Sequence, residues 1–358
     1  PAGAAVPPIL LAPAVSSPTG SPFGPGPGAS TTVTVDLDGD GLLDVVVTDF
    51  ATTTPIALLN QGGGHFGPPV PLPSSGGVLS IATGDFDEDG TADLVGHSEF
   101  GLVRWTGVGD GTFTLAQQLW AVGNAQPALA VGDLNSDGHA DVVTPSLSGL
   151  QVYLGTGSGL VSGPATTAVG LLSDVAVANL NGDSHPDLVV VDATPFLQRV
   201  RAFLGTGGGR FTAAGSGAVG YGPEDAAVGD LDGDGIDDVV TSDSFSIVGA
   251  TTFSLSVLRS NGNGGFAPRV SHPVGLGPVS AAIGDLNGDG HPDVAMSSVG
   301  DATVTLYANS GTGTLLPAGT VSVVGFPQTP AIADLDGDSA PDLAVPGAGS
   351  LSVLLNLG

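Results

Sequence analysis

Asp36-Leu37-Asp38-Gly39-Asp40-Gly41-Leu42-Leu43-Asp44 sets four carboxylates in one turn-forming stretch, between the short apolar runs Val33-Thr34-Val35 and Val45-Val46-Val47. The same pattern, Asp-x-Asp/Asn-x-Asp-Gly/Ser-x-x-Asp, begins again at Asp85, Asp133, Asn179 (with Asn for the first Asp), Asp230, Asp285 and Asp334. The intervals run from 46 to 55 residues. A period near 50 is the length of one four-stranded blade, and seven copies fall within the usual number of blades. The fold expected is all-β: a seven-bladed β-propeller of four-stranded antiparallel blades.

Each repeat has a steady order. An apolar strand such as Ile81-Ala82-Thr83 enters the Asp loop, and a second such as Leu188-Val189-Val190-Val191 leaves it. A third, such as Val152-Tyr153-Leu154, ends in a Gly-rich turn with an aromatic, as in Gly64-His65-Phe66 or Gly209-Arg210-Phe211. A fourth completes the unit. No long stretch carries a 3.6-residue period. The seventh repeat stops after its third strand, Leu351 to Asn356, while Pro22-Phe23-Gly24-Pro25 resembles Phe66-Gly67-Pro68-Pro69. Residues 18–28 are therefore expected to supply the missing outer strand and close the ring, which limits exposed edges. On this reading residues 1–16 are a Pro-rich lead-in and 17–358 one propeller.

Composition narrows the chemistry. The 358 residues carry a formal charge of −29, from 35 acids and six arginines with no lysine. Only Glu88, Glu99 and Glu224 among the acids are not Asp. Asp has the shorter side chain, favours turns and supplies the leading ligands of calcium loops. A surface this negative repels phosphate, so nucleic acid is not an expected partner. No run approaches the ~18 apolar residues of a membrane span, and there is no cysteine to build a disulfide framework. Residues 1–16 lack the basic start of a signal peptide and read as a mature N-terminus. The missing lysine fits a GC-rich, bacterial source.

Calcium takes six to eight hard oxygens at about 2.3–2.6 Å. One loop can offer carboxylates from positions 1, 3, 5 and 9 and a carbonyl from position 7, with Gly at 6 allowing the sharp turn. The expected side-chain sets are Asp36, Asp38, Asp40, Asp44; Asp85, Asp87, Asp89, Asp93; and Asp133, Asn135, Asp137, Asp141. Asn179, Asn181, Asp183, Asp187 and Asp230, Asp232, Asp234, Asp238 follow, then Asp285, Asn287, Asp289, Asp293 and Asp334, Asp336, Asp338, Asp342. The carbonyls of Leu42, Thr91, His139, His185, Ile236, His291 and Ala340 stand at position 7. Up to seven Ca2+ are expected, one per blade. Four loops hold four carboxylates, two hold three and one holds two, so 24 of the 35 acids lie here. A single copy would mean only that Asp and Gly form turns; seven with fixed spacing mean cations. Loop four, with two Asn and Ser184 in place of Gly, should bind most weakly. Without metal, two carboxylates 4 Å apart at an effective dielectric near 20 repel by up to ~4 kcal/mol.

These loops, with the Asn/Gly-x-Gly-x-Phe turns, resemble FG-GAP/VCBS repeats, the propeller family of the integrin α-subunit head and of many bacterial secreted proteins. The resemblance implies calcium loops on a lower face and ligands on the opposite, upper face. All seven repeats carry the loop, whereas integrin α heads carry it in a few, so a free-standing bacterial type is the better match.

Catalytic groups are not evident. His139, His185 and His291 sit at loop position 7, and His65 and His272 fall in turn or outer-strand positions. His97 with Glu99 is the one His–carboxylate pair off the loops, between a second and a third strand. No nucleophile elbow, Walker loop or HExxH occurs, so no enzyme is expected. The reading is a secreted or cell-surface, monomeric adhesion module for an extracellular protein or matrix ligand. A calcium-dependent lectin is the alternative, a polysaccharide-acting enzyme or a purely structural scaffold the lesser ones. Trp105 and Trp120, both in the second repeat, are too few for one aromatic sugar site per blade. The upper face should comprise 49–54, 97–101, 192–198, 242–251, 298–302, 220–224 and 326–329, the longest holding Phe245 and Ile247.

Overall fold

A computed structural model of the chain describes residues 6–18, 31–48, 54–73, 77–98, 100–120, 128–168, 170–244, 253–347 and 349–358. The described residues form seven four-stranded antiparallel sheets. Blades one to six span residues 32–71, 78–120, 130–167, 172–218, 223–273 and 278–322. Blade seven takes Ala331–Ala333, Asp342–Gly347 and Ser350–Leu354 from the end of the chain and Val15–Pro18 from its start. The first strand of each blade touches the first strands of its two neighbours, and blade seven meets blade one, so the sheets form a closed ring.

Burial follows from this arrangement. Second strands such as Asp187–Asp192 and Asp293–Ser298 are covered on both faces by adjacent blades and are buried throughout. That is why they read as continuous Val/Leu/Ala runs. Outer strands such as Phe113–Trp120 alternate, one face inward and one in water. Seven apolar cores result, one between each pair of neighbouring blades.

The closing strand lies earlier in the chain than its expected place. Val15 to Pro18 pair with Val353 to Ser350, Leu11 bridges Asn356, and Ile9 is buried in the core between blades six and seven. Part of the stretch expected as a lead-in is thus strand and core. Residues 19–28 of the expected strand lie outside the described residues.

Candidate metal centres

In an up-and-down blade the link from first to second strand and the link from third to fourth emerge on one face. The other two links emerge opposite. All seven Asp loops are first-to-second links and share the lower face.

Each loop ends on an Asp that opens the second strand and is buried: Asp44, Asp93, Asp141, Asp187, Asp238, Asp293 and Asp342. Their Oδ1 atoms accept the N–H of Asn60, Gly107, Gly155, Gly205, Ser260, Asn309 and Asn356 at the end of the third strand, at 2.7–2.9 Å. In six blades Oδ2 accepts the position-two N–H (Leu37, Phe86, Leu134, Leu180, Leu286, Leu335) at 2.8–3.1 Å. Position nine is therefore a staple from loop to third strand as well as a candidate ligand. Burial pushes the Asp44, Asp141, Asp238 and Asp293 carboxyls up to about 6, and raises those of Asp93, Asp187 and Asp342. A bound cation removes that penalty.

Positions 1 and 5 fold the loop around its centre. The position-5 carboxylate accepts the position-7 N–H in all seven loops, at 2.7–3.0 Å. The position-1 carboxylate accepts the position-6 N–H in all but loop four, at 2.8–3.1 Å. The backbone is left-handed at position 6 in those same six loops, where five residues are Gly and Ser339 tolerates a φ of 74°.

Three carboxylates converge within 4.8 Å in four loops: Asp36, Asp38, Asp40; Asp85, Asp87, Asp93; Asp230, Asp232, Asp234; and Asp334, Asp336, Asp342. These are the four loops with four Asp. In loops three and four an Asn amide donates to the next carboxylate, Asn135 to Asp137 at 2.9 Å and Asn181 to Asp183 at 2.8 Å, which satisfies part of the charge without an ion. In loop five Asp232 Oδ1 and Asp238 Oδ2 are buried and accept no hydrogen bond among the described residues. Acceptor-only oxygens left so are costly unless a cation faces them. The donor set, all hard oxygen, fits calcium.

The loops also join the blades. In six of them the position-2 carbonyl accepts a hydrogen bond from the blade that follows, at 2.7–3.4 Å: Leu37 from Gly111, Leu134 from Gly209, Leu180 from Gly264, Leu231 from Asn309, Leu286 from Asn356 and Leu335 from Asn60. A loop held rigid therefore fixes its neighbour.

Loops two and four depart from the plan through residues the repeat pattern passes over. Arg104, from the third strand of blade two (Gly101–Gly107), places Nη1 3.0 Å from Asp93 Oδ2 and 3.5 Å from Asp87 Oδ2. Glu88, at position 4 with a left-handed φ of 60°, pairs with Nδ1 of His139 in loop three and raises the imidazole's pKa. In loop four Asn179 turns to loop five: its Nδ2 donates to the Gly235 carbonyl at 3.0 Å, and its N–H to Asp237 Oδ2 at 2.7 Å. Asp237 N–H returns a bond to the Asn179 carbonyl at 2.8 Å.

The FG-GAP-like repeat model matches residues 18–96, 133–190, 179–241 and 243–296. The chain belongs to the FG-GAP-like repeat family. No curated protein sequence matches it. Among solved structures this FG-GAP-like propeller is similar to BBS1N in complex with ARL6DN, at 11% identity, with 98% of each chain covered and a TM-score of 0.67. It is similar also to an Agrocybe aegerita lectin, described as recognising non-reducing terminal N-acetylglucosamine. There the identity is 20%, coverage is 82% of this chain and 80% of that one, and the TM-score is 0.55. At these identities the likeness is one of fold.

His97 does not lie between the second and third strands, where its place in the sequence puts it. His97 is buried within the second strand of blade two, Nε2 3.5 Å from Thr144 Oγ1, and Glu99 lies outside the described residues. On the opposite face the structure brings out what the sequence left spread over loops. Phe100, Trp120, Phe196, Tyr221 and Phe326 are the exposed aromatics among the described residues. All five stand on second-to-third or fourth-to-first links, or at the upper end of a fourth strand. Phe196 is 92% exposed and Trp120 72%. Leu147, Leu171, Leu197, Leu276 and Val324 share that face. Most of 242–251, including Phe245 and Ile247, lies outside the described residues.

Proposed function

We propose that the protein is a non-catalytic, extracellular binding module: a propeller stiffened by calcium on its lower face that presents its upper face to a protein ligand. The observation that carries this is the segregation of the five aromatics exposed among the described residues onto the face away from the Asp loops. Large exposed apolar side chains cost solubility and mark interaction surfaces when they gather on one face. They are spread over blades two to seven instead of lining one pocket. The notch beside the edge-to-face pair Phe100–Trp120 holds about 10 Å³, room for one water and not for a sugar ring. A broad partner surface suits this better than a small glycan.

Calcium as the resident ion rests on the converging carboxylates of loops one, five and seven and the partnerless buried oxygens of loop five. When bound, it supplies charge neutralisation and cross-links each loop, and the loops pass that rigidity to the blades they dock. A secreted or cell-surface location would supply the calcium that sites of the 10⁻⁴–10⁻³ M affinity typical of extracellular modules require.

A glycan reading has one supporting observation, the aromatic pair Phe100–Trp120, whose Trp edge could stack on a sugar. An array of glycans and matrix proteins, probed in millimolar calcium and in chelator, separates the two. Binding to proteins, lost in Phe196→Ala and Trp120→Ala, is expected. Hits confined to glycans would replace this reading with a lectin.

A further inference from the structure

Opposite the third residue of each second strand, one residue of the third strand faces the same way. In six blades that residue is apolar: Ala57, Val152, Ala202, Val257, Leu306 and Val353. In blade two it is Arg104, paired with Val95. Its side chain is buried, 7% exposed, and runs beneath loop two, the loop that offers four Asp. Resting on the calcium reading above, we infer that blade two carries its own cation: the Arg104 guanidinium stands where the neighbouring loops take a metal ion, and loop two does not bind calcium.

The acceptor count supports this. Asp93 Oδ2 has two lone pairs; the Phe86 N–H takes one at 3.1 Å and Arg104 Nη1 the other at 3.0 Å. Its Oδ1 is held by the Gly107 N–H. In blades one, six and seven the matching Oδ2 takes a single amide, from Leu37, Leu286 or Leu335, and keeps a lone pair for an ion. Asp87 Oδ2 accepts the Thr106 hydroxyl at 3.1 Å and faces Arg104 at 3.5 Å, which leaves Asp87 Oδ1 as that residue's free acceptor. A calcium ion within 2.3–2.6 Å of Asp93 Oδ2 would lie against the guanidinium, where like charges repel. Loop five also has an arginine nearby, but Arg259 is 41% exposed and 3.7 Å from Asp232. It sits at the rim, and Asp232 Oδ1 and Asp238 Oδ2 beneath it stay unpaired. The guanidinium is a permanent charge, so loop two should keep its shape when calcium is removed, and the Glu88–His139 pair then still ties blade two to blade three.

The test is a calcium count by native mass spectrometry on the full chain and on Arg104→Met and Arg104→Leu, with melting curves in calcium and in chelator. Met and Leu restore the apolar residue type of the other blades, so the fold should tolerate them. Each variant should bind one more calcium than the parent, melt below it in chelator and recover in calcium. Equal non-zero counts in parent and variants would overturn the inference and leave the calcium reading standing. No calcium in any of the three proteins would overturn both.

Discussion

Loops one and four follow the same nine-residue plan and do different work. In loop one Asp36 folds back on Gly41, and Asp36, Asp38 and Asp40 converge within 4.8 Å. In loop four Asn179 keeps its Oδ1 on the Gly182 N–H of its own loop, while its Nδ2 and backbone clasp Gly235 and Asp237 of the next loop. Four differences go with this: Asn for Asp at positions 1 and 3, Ser184 for Gly at position 6, and an acid, Asp237, at position 8 of the following loop, where the loop following loop one has Ala92. Carboxylates that cannot satisfy one another gather around a cation, whereas amides, which donate and accept, can bond to protein instead. One repeat thus yields a metal trap in one blade and a blade-to-blade clasp in another.

The largest effect should come from the residue both loops share in kind. Asp44→Ala leaves the buried N–H groups of Leu37 and Asn60 without acceptors. At ~1–3 kcal/mol for each, denaturant unfolding should find about 3 kcal/mol or more lost in calcium and in chelator alike; a loss confined to calcium would make Asp44 a ligand only. Asp36→Ala should behave the other way. It removes one bound calcium and ~2–3 kcal/mol when calcium is about a hundredfold above its dissociation constant, and little in chelator. Equal losses in both conditions would erase the distinction between trap and staple.

The clasp gives a smaller effect. Asp237→Asn should cost about 1 kcal/mol, the net worth of a hydrogen bond, with no change in calcium count. A lost ion would mean that loop four binds metal through the clasped geometry.

Much of this was legible beforehand because it repeats. The period, the seven loops and the second strands come from residues that recur at fixed spacing, and loop four's low carboxylate count is read from the same pattern. What escaped occurs once. Arg104 is a single charge in Leu102-Val103-Arg104-Trp105, with no counterpart in the other repeats to mark it, and packing between blades buries it. Asp237 reads as one more turn acid. Val15–Pro18 carries a single large apolar residue, whereas the Phe23 segment matches the Phe-Gly-Pro pattern that precedes an outer strand. The aromatic face was visible as loops and not as a surface, because exposure is a property of the ring.

A pH-dependent effect lies away from the loops, on the inner strands of blades four and five. Asp225 accepts the Ser280 hydroxyl and the Ala281 N–H, and burial, reinforced by the Glu224 charge, lifts its carboxyl to about 6. Burial and the charge of Asp225 raise Asp174 as well. A carboxyl raised from 3.8 holds its proton more tightly in the folded state. Its charge therefore opposes folding above about pH 6, and that opposition fades as the pH falls toward 4. Asp225→Asn should be the more stable protein near pH 7.5, with the gap closing by about pH 4.5. A gap that widened on acidification would reverse the sign.

The central claim is that the lower-face loops hold the ring through calcium, and a melting curve tests it most directly. In millimolar calcium, against chelator, the melting temperature should rise by at least about 10 °C, from several sites worth ~2–3 kcal/mol each. The same melting temperature in both would mean that the carboxylates are turn formers and that the blades stand without metal.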